Sequence, residues 1–208
     1  MPATPSLAVE LELSAGVWTD VTADVAGSVR MRASWGLPGG GPTDLCAAAG
    51  SWTFALKNHA GNSAGLLGYY APGHVNGRTG FDIDIRARLR LTYDGTTVTR
   101  FLGTIAVATP DPGAYRGSLT RVTVVDWIDQ AASTPMRGVE TQVNQRTDQV
   151  LAALLAVMPV QPEATDLAGG DSTFLYALDN VQDERTRWLT AAAALMASEG
   201  GRLFQRGD

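Results

Sequence analysis

The residue types that could carry chemistry in this 208-residue chain are few and scattered. Gly170-Asp171-Ser172 has the form of an esterase nucleophile tripeptide. A serine nucleophile needs a base within hydrogen-bond reach, yet both histidines, His59 and His74, belong to a different segment. The tripeptide also precedes an expected strand instead of following one, so it reads as a plain loop. Neither histidine has a cysteine or carboxylate at ligand spacing. Asp82 and Asp84 share one face of an expected strand and could in principle hold a hard cation. Arg86, Arg88 and Arg90 continue that face, so the row reads as mutually neutralising charge. As a nucleic-acid track the same arginines lack the interleaved aromatics that stack on bases. They are expected to face a neighbouring subunit or local acids. Gly39-Gly40-Gly41 lacks the Lys-Ser/Thr that completes a phosphate cradle. Arg206-Gly207-Asp208 matches an adhesion tripeptide, but a strand end entering a turn explains it. The search yields no catalytic residue, no metal ligand set and no cofactor.

Composition narrows the class. Sixteen basic against 21 acidic residues leave a net charge of −5, which argues against a chain that coats nucleic acid or an anionic membrane. Only Lys57 among the basic residues is lysine, and arginine suits buried interfacial ion pairs better. Charged residues are 18%, below the ~25% of ordinary soluble chains. Interface cores are depleted of charge, so much of this surface is expected to be covered by partners. The single cysteine, Cys46, excludes an internal disulfide framework. No apolar run approaches the ~18 residues of a membrane span. Residues 1–5 lack the basic and apolar regions of a signal peptide.

The elements that must position these side chains are strands first and helices later. Leu7, Val9, Leu11 and Leu13 alternate with polar or small residues, a period of two. Further strands are expected around 17–21, 28–35, 51–57, 82–93, 96–108 and 119–126, with Asp94-Gly95 as a hairpin turn and Asp111-Pro112-Gly113 as another. Short strands linked by turns imply a closed or nearly closed β-barrel or sandwich. After a helical turn at 126–132, Thr147 is expected to cap a helix over 148–158. A strand follows at 173–179, then a helix from Glu184, capped by Asp183, to about Glu199, ending at Gly200-Gly201. Residues 202–206 then begin a strand whose partner is expected downstream, so the chain is expected to be the front part of a longer one. The fold class is mainly β with a C-terminal α+β part, divided at 1–133 and 134–208.

One segment stands apart. Residues 58–80 form a 23-residue stretch with six glycines and no strand pattern. Ordered loops of that length are usually functional. Leu66, Leu67, Tyr69 and Tyr70 form a compact apolar-aromatic cluster within it. The cluster either folds back over its own barrel or docks on a neighbouring protein. The candidate interface is therefore Leu66, Leu67, Tyr69, Tyr70, Arg86, Arg88 and Arg90.

Trp18-Thr19-Asp20-Val21-Thr22, Phe54-Ala55-Leu56-Lys57-Asn58, the Gly61-to-Gly73 loop and Val125-Asp126-Trp127-Ile128-Asp129 together give the chain a familiar outline. It resembles the N-terminal part of bacteriophage tail-tip or baseplate hub proteins. The resemblance implies a tube-like antiparallel β-barrel followed by an incomplete mixed hub domain. It further implies a structural, non-enzymatic virion protein at the tail tip, assembled in the host cytoplasm, that continues and closes the tail tube for genome delivery. Implied partners are copies of itself, as a homotrimer or a hexamer, the distal tail protein and other tail-tip proteins. No sequence-specific nucleic acid and no stable membrane binding are implied. Alternatives are a sixfold distal tail ring, the hub of a phage-like injection system, an esterase-like tail enzyme resting on Ser172, and a host-glycan module resting on Trp35, Tyr69 and Tyr70.

Overall fold

The computed structural model describes residues 4–112, 117–178 and 186–206. The chain divides into two compact units, one of residues 1–35, 50–126 and 206–208, the other of residues 36–49 and 127–205. The segment 36–49, with its Pro38-to-Pro42 loop, thus leaves the first unit and contributes to the second.

The first unit is an antiparallel sheet of seven strands: β1 (Ser6–Ser14), β2 (Val17–Asp20), β3 (Arg32–Gly36), β4 (Ala48–Lys57), β5 (Arg86–Tyr93), β6 (Thr96–Pro110) and β7 (Leu119–Val125). Their order across the sheet is β2-β1-β5-β6-β7-β4-β3. Alternation puts one apolar face inward, and register then aligns that face across neighbours. Val9 stands opposite Leu89, which stands opposite Phe101. Ile105 stands opposite Val124, which stands opposite Trp52. All six are buried, together with Leu11, Phe54, Leu56, Ala87 and Val122. Trp52 stacks on Phe54 with ring centroids 4.4 Å apart, and Phe101 closes on Trp52 at 6.0 Å. Asp94 (φ 49°) and Gly95 (φ 76°) are both left-handed, as a two-residue hairpin between β5 and β6 requires.

The expected class, mainly β with a C-terminal α+β part, is what the fold shows. Where a closed or nearly closed barrel or sandwich is expected, the sheet is not closed: the strand ladder runs from β2 to β3 without joining those two strands. The chain itself spans the opening. A single 3-10 turn, η1 (Thr22–Asp24), leaves the β1 side and reaches the β4 side. Val21 N–H donates to the Val9 carbonyl at 2.8 Å, and Ala26 N–H to the Ala55 carbonyl at 2.8 Å. The strand expected from Asp82 begins only at Arg86, because Asp84 adopts φ 64° and residues 82–85 turn. Asp82 and Asp84 therefore do not share a strand face.

The second unit holds α1 (Trp127–Ser133), β8 (Gln142–Arg146), α2 (Thr147–Ala156), β9 (Thr173–Ala177) and α3 (Trp188–Glu199). Strands β8 and β9 pair antiparallel. β8 escapes the pattern reading because Gln142-Val143-Asn144-Gln145-Arg146 has no apolar alternation. Helix α2 starts one residue earlier than expected. Its cap is Arg146, whose N–H donates to Gln149 Oε1 at 2.9 Å. Gly200 (φ 71°) closes α3 as expected. The proposed start of that helix at Asp183 and Glu184 lies outside the described residues, as do Gly113, Asp179 and Gly207-Asp208. The core joins Trp188, Val150, Leu151, Leu154, Leu195, Met196 and Met136. Leu203 bridges to the segment 36–49: its N–H donates to the Leu45 carbonyl and its carbonyl accepts from Ala47 N–H, both at 2.8 Å. Among the described residues no helix is long and apolar enough to cross a membrane.

Candidate functional site

The long segment 58–80 is a string of turns held by its own asparagines and by one buried carboxylate. Asn62 Oδ1 accepts from Ala64 N–H at 3.1 Å and Leu66 N–H at 3.2 Å, while its amide donates to the Leu66 carbonyl at 2.7 Å. Asn58 Oδ1 accepts from Tyr70 N–H at 2.9 Å. Asp24, 2% exposed in η1, takes contacts from three more residues of the segment. Ser63 donates to it twice, through N–H and Oγ, each at 2.6 Å. Tyr70 O–H donates to Asp24 Oδ2 at 2.5 Å, and Arg78 Nη1 lies 3.8 Å from the same oxygen. The Arg78 guanidinium also donates to the Tyr70 hydroxyl and lies over the rings of Tyr69 and Tyr70. A buried carboxylate is tolerated only when paired and hydrogen-bonded, and this one is both.

This geometry splits the expected cluster. Tyr70 is fully buried and packs edge-on against Phe81 at 5.2 Å. Its ring completes the core of its own unit and its hydroxyl completes the Asp24 site, so at Tyr70 the cluster folds back over its own sheet. Tyr69 is half-buried, lying edge-on to Tyr70 at 5.1 Å. Leu66 and Leu67 stay 43% and 42% exposed, and Val75 is 92% exposed. Leu66, Tyr69, Val75 and Arg78 contribute to a shallow open concavity of about 500 Å³.

The arginine row finds local acids. Glu10 stands opposite Arg88 in the β1–β5 register. Arg88 pairs with Glu10, Arg90 reaches the same carboxylate at 3.3 Å, and Arg86 pairs with Glu12 at 3.4 Å. Arg88 also sits over the Trp18 ring, 4.1 Å from its centroid. Glutamates of the neighbouring strand are thus neutralising partners of the row. Strand pairing brings them together from 78 residues away, which no local pattern reveals.

The remaining candidates have structural occupations. In the Gly170-Asp171-Ser172 loop, the N–H groups of Asp171 and Ser172 donate to Glu199 Oε1 at 2.7 and 3.2 Å, and Gly170 N–H donates to Asp148 Oδ1 at 3.0 Å. Ser172 belongs to the second unit, whereas both histidines belong to the first. There His59 Nδ1 accepts from Gly61 N–H and His74 Nδ1 from Asn76 N–H. A hydrogen bond from Arg146, then the bond from Gly170 N–H, hold the Asp148 carboxyl down at about 2. Burial pushes the Cys46 thiol up, away from reactivity. Trp35 is partly exposed and lies edge-on to Phe101 at 6.0 Å. With Tyr70 buried, the aromatic trio of a glycan site is not assembled on the surface. Among the described residues no cluster of three or more metal-ligating side chains occurs.

Burial, then the hydrogen bond to Asp24, pushes the Tyr70 phenol well above its ordinary value. The fold thus holds the protonated phenol more tightly than the unfolded chain does. That contribution is fully present below the ordinary phenol value of ~10 and declines as pH rises from there through the folded-state value. Wild type is expected to lose more stability than Tyr70→Phe between urea melts at about pH 8 and about pH 11. Equal losses would show that the phenol does not couple to folding.

A scan against protein-family models finds no match, and a search of curated protein sequences finds none. Solved structures do match. The 43 kDa tail protein of prophage MuSo2 from Shewanella oneidensis is 12% identical with a TM-score of 0.50, over 98% of this chain and 55% of that one. The tail protein from Neisseria meningitidis MC58 is 10% identical with a TM-score of 0.50, over 96% of this chain and 51% of that one. A Francisella PdpA-VgrG complex chain is 6% identical with a TM-score of 0.43, over 83% of this chain and 23% of that one. This chain spans about half the length of the two tail proteins. Its fold is one that those tail proteins share.

Proposed function

We propose that this chain is a structural protein of a phage-type tail tip, a ring-forming hub that continues the tail tube and joins the distal tail protein to the tip. The observation that carries the reading is the fold likeness to two tail proteins over nearly the whole chain. Low charge and an ordered loop with an apolar outer edge support it, since both suit a surface covered in an assembly. In this reading copies of the chain form a trimer or a hexamer. The outer loop residues Leu66 and Leu67 meet the neighbouring protein, with the Arg86-to-Arg90 face beside a second subunit. The chain works by binding and enclosing, without a catalytic step.

Immunogold labelling of a tagged chain in tail particles from the producing strain is expected to mark one end of the tail. Label along the shaft, or particles without label, would overturn the reading. Light scattering of the chain with its distal tail partner then separates three copies from six. Replacing Leu66 and Leu67 together by Ser is expected to cut incorporation about tenfold while changing stability by less than about 1 kcal/mol, because both side chains are already exposed. Undiminished incorporation would remove the loop from the interface.

A further inference from the structure

The seven-stranded sheet opens between its outer strands, and η1 crosses that opening. Asp24 is the one residue of η1 with a buried charge, and loop stations 63, 70 and 78 all converge on its carboxylate. The hydrogen bonds of Asn62 stay within residues 57–66 and those of Asn76 within 67–76, so they hold the loop's shape rather than its attachment. Beyond the Asn58 hinge, Thr120 Oγ1 adds a bond to the Tyr70 carbonyl. At the far hinge Gly80 (φ 80°) lies against the Leu13 carbonyl, a position where a Cβ would collide with backbone.

We propose that the Asp24 carboxylate is a latch: it holds residues 58–80 as one preformed flap over the seam of the sheet, and the flap opens as a unit while the strands stay paired. Three features argue for a unit. The flap carries its own internal bonds, its two ends are fixed by separate contacts, and its middle is tied through Asp24, which takes three stations, and by the one bond from Thr120. Burial of the Tyr70 ring keeps the closed form dominant, so opening is rare and is read by exchange rather than by a second conformer. The outer residues Leu66, Leu67 and Val75 are held in a single arrangement only while the latch is closed. The inference concerns the first unit alone and does not depend on the tail reading.

Amide hydrogen exchange followed by mass spectrometry on the full chain tests it. In Asp24→Asn the new amide N–H group faces donors from Tyr70 and Arg78, so the latch is lost with little change in shape. Peptides from 59–79 are expected to exchange at least about tenfold faster than in wild type, with β4 and β7 peptides changed less than about twofold. Ser63→Ala and Tyr70→Phe each remove one hydroxyl bond to Asp24 and are expected to give the same pattern at about threefold, which decides the matter if Asp24→Asn does not fold. Loop exchange unchanged in these variants, or loop and strands accelerating together, would overturn the latch.

Discussion

Replacing Phe54 by Ala is expected to cost roughly 3–5 kcal/mol, one of the two largest single-residue effects in this protein. Phe54 is 2% exposed at the centre of β4, with its ring stacked on Trp52 and its backbone opposite Val122. Truncation would remove the buried ring area and leave a cavity walled by the sheet's own strands. Those walls are fixed by the ladder from Ser51↔Val125 to Lys57↔Leu119, so they cannot collapse inward. The stacking of Trp52 is lost as well, which adds about 0.5–1.5 kcal/mol in such pairs. A urea melt that shifts by less than about 1 kcal/mol would show that Phe54 does not face the core.

In the second unit the corresponding residue is Trp188, and Trp188→Ala is expected to cost roughly 3–5 kcal/mol. It is 1% exposed at the start of α3, and Trp127 lies edge-on to it at 5.1 Å. Its indole N–H donates to the Leu154 carbonyl at 2.8 Å, tying α3 to the last turn of α2. Helix α2 has only ten residues, below the length at which an isolated helix is stable, so it depends on this packing. Trp188→Phe keeps part of the ring and loses the hydrogen bond, so it is expected to fall between wild type and Ala. Trp188→Phe as costly as Trp188→Ala would mean that the hydrogen bond, not the packing, dominates. A near-neutral Trp188→Ala would refute the core assignment.

Much of the first unit is readable from its residues. Alternation identifies β1, β4, β5, β6 and β7, and Asp94-Gly95 marks its hairpin, because a period of two and a left-handed pair are local properties of the chain. Trp52, Phe54, Leu89 and Val124 are recognisable as core for the same reason, while Ile85, expected with them, is partly buried against that core. β8 is invisible locally: a polar stretch becomes a strand only because β9 offers it a ladder. The start of β5 is misread at Asp82 because a non-glycine residue there takes a left-handed turn, Asp84 at φ 64°.

The chain's residues alone determine the class of fold, strands before helices, the scarcity of catalytic groupings and the singularity of the 58–80 segment, since each follows from composition or from spacing within a few residues. Tertiary structure alone decides what those groups do. Tyr70 reads as either self-covering or docking until Asp24, 46 residues upstream, takes its hydroxyl. The arginine row reads as facing a neighbouring subunit or local acids, and only the pairing of β1 with β5 supplies those acids, Glu10 and Glu12. The bonds of Leu203 to Leu45 and Ala47, more than 150 residues upstream, are likewise invisible in any local pattern. Burial and charge pairing depend on which distant segments become neighbours, and strand register, which sets those neighbours, is a property of the folded sheet rather than of any window of sequence.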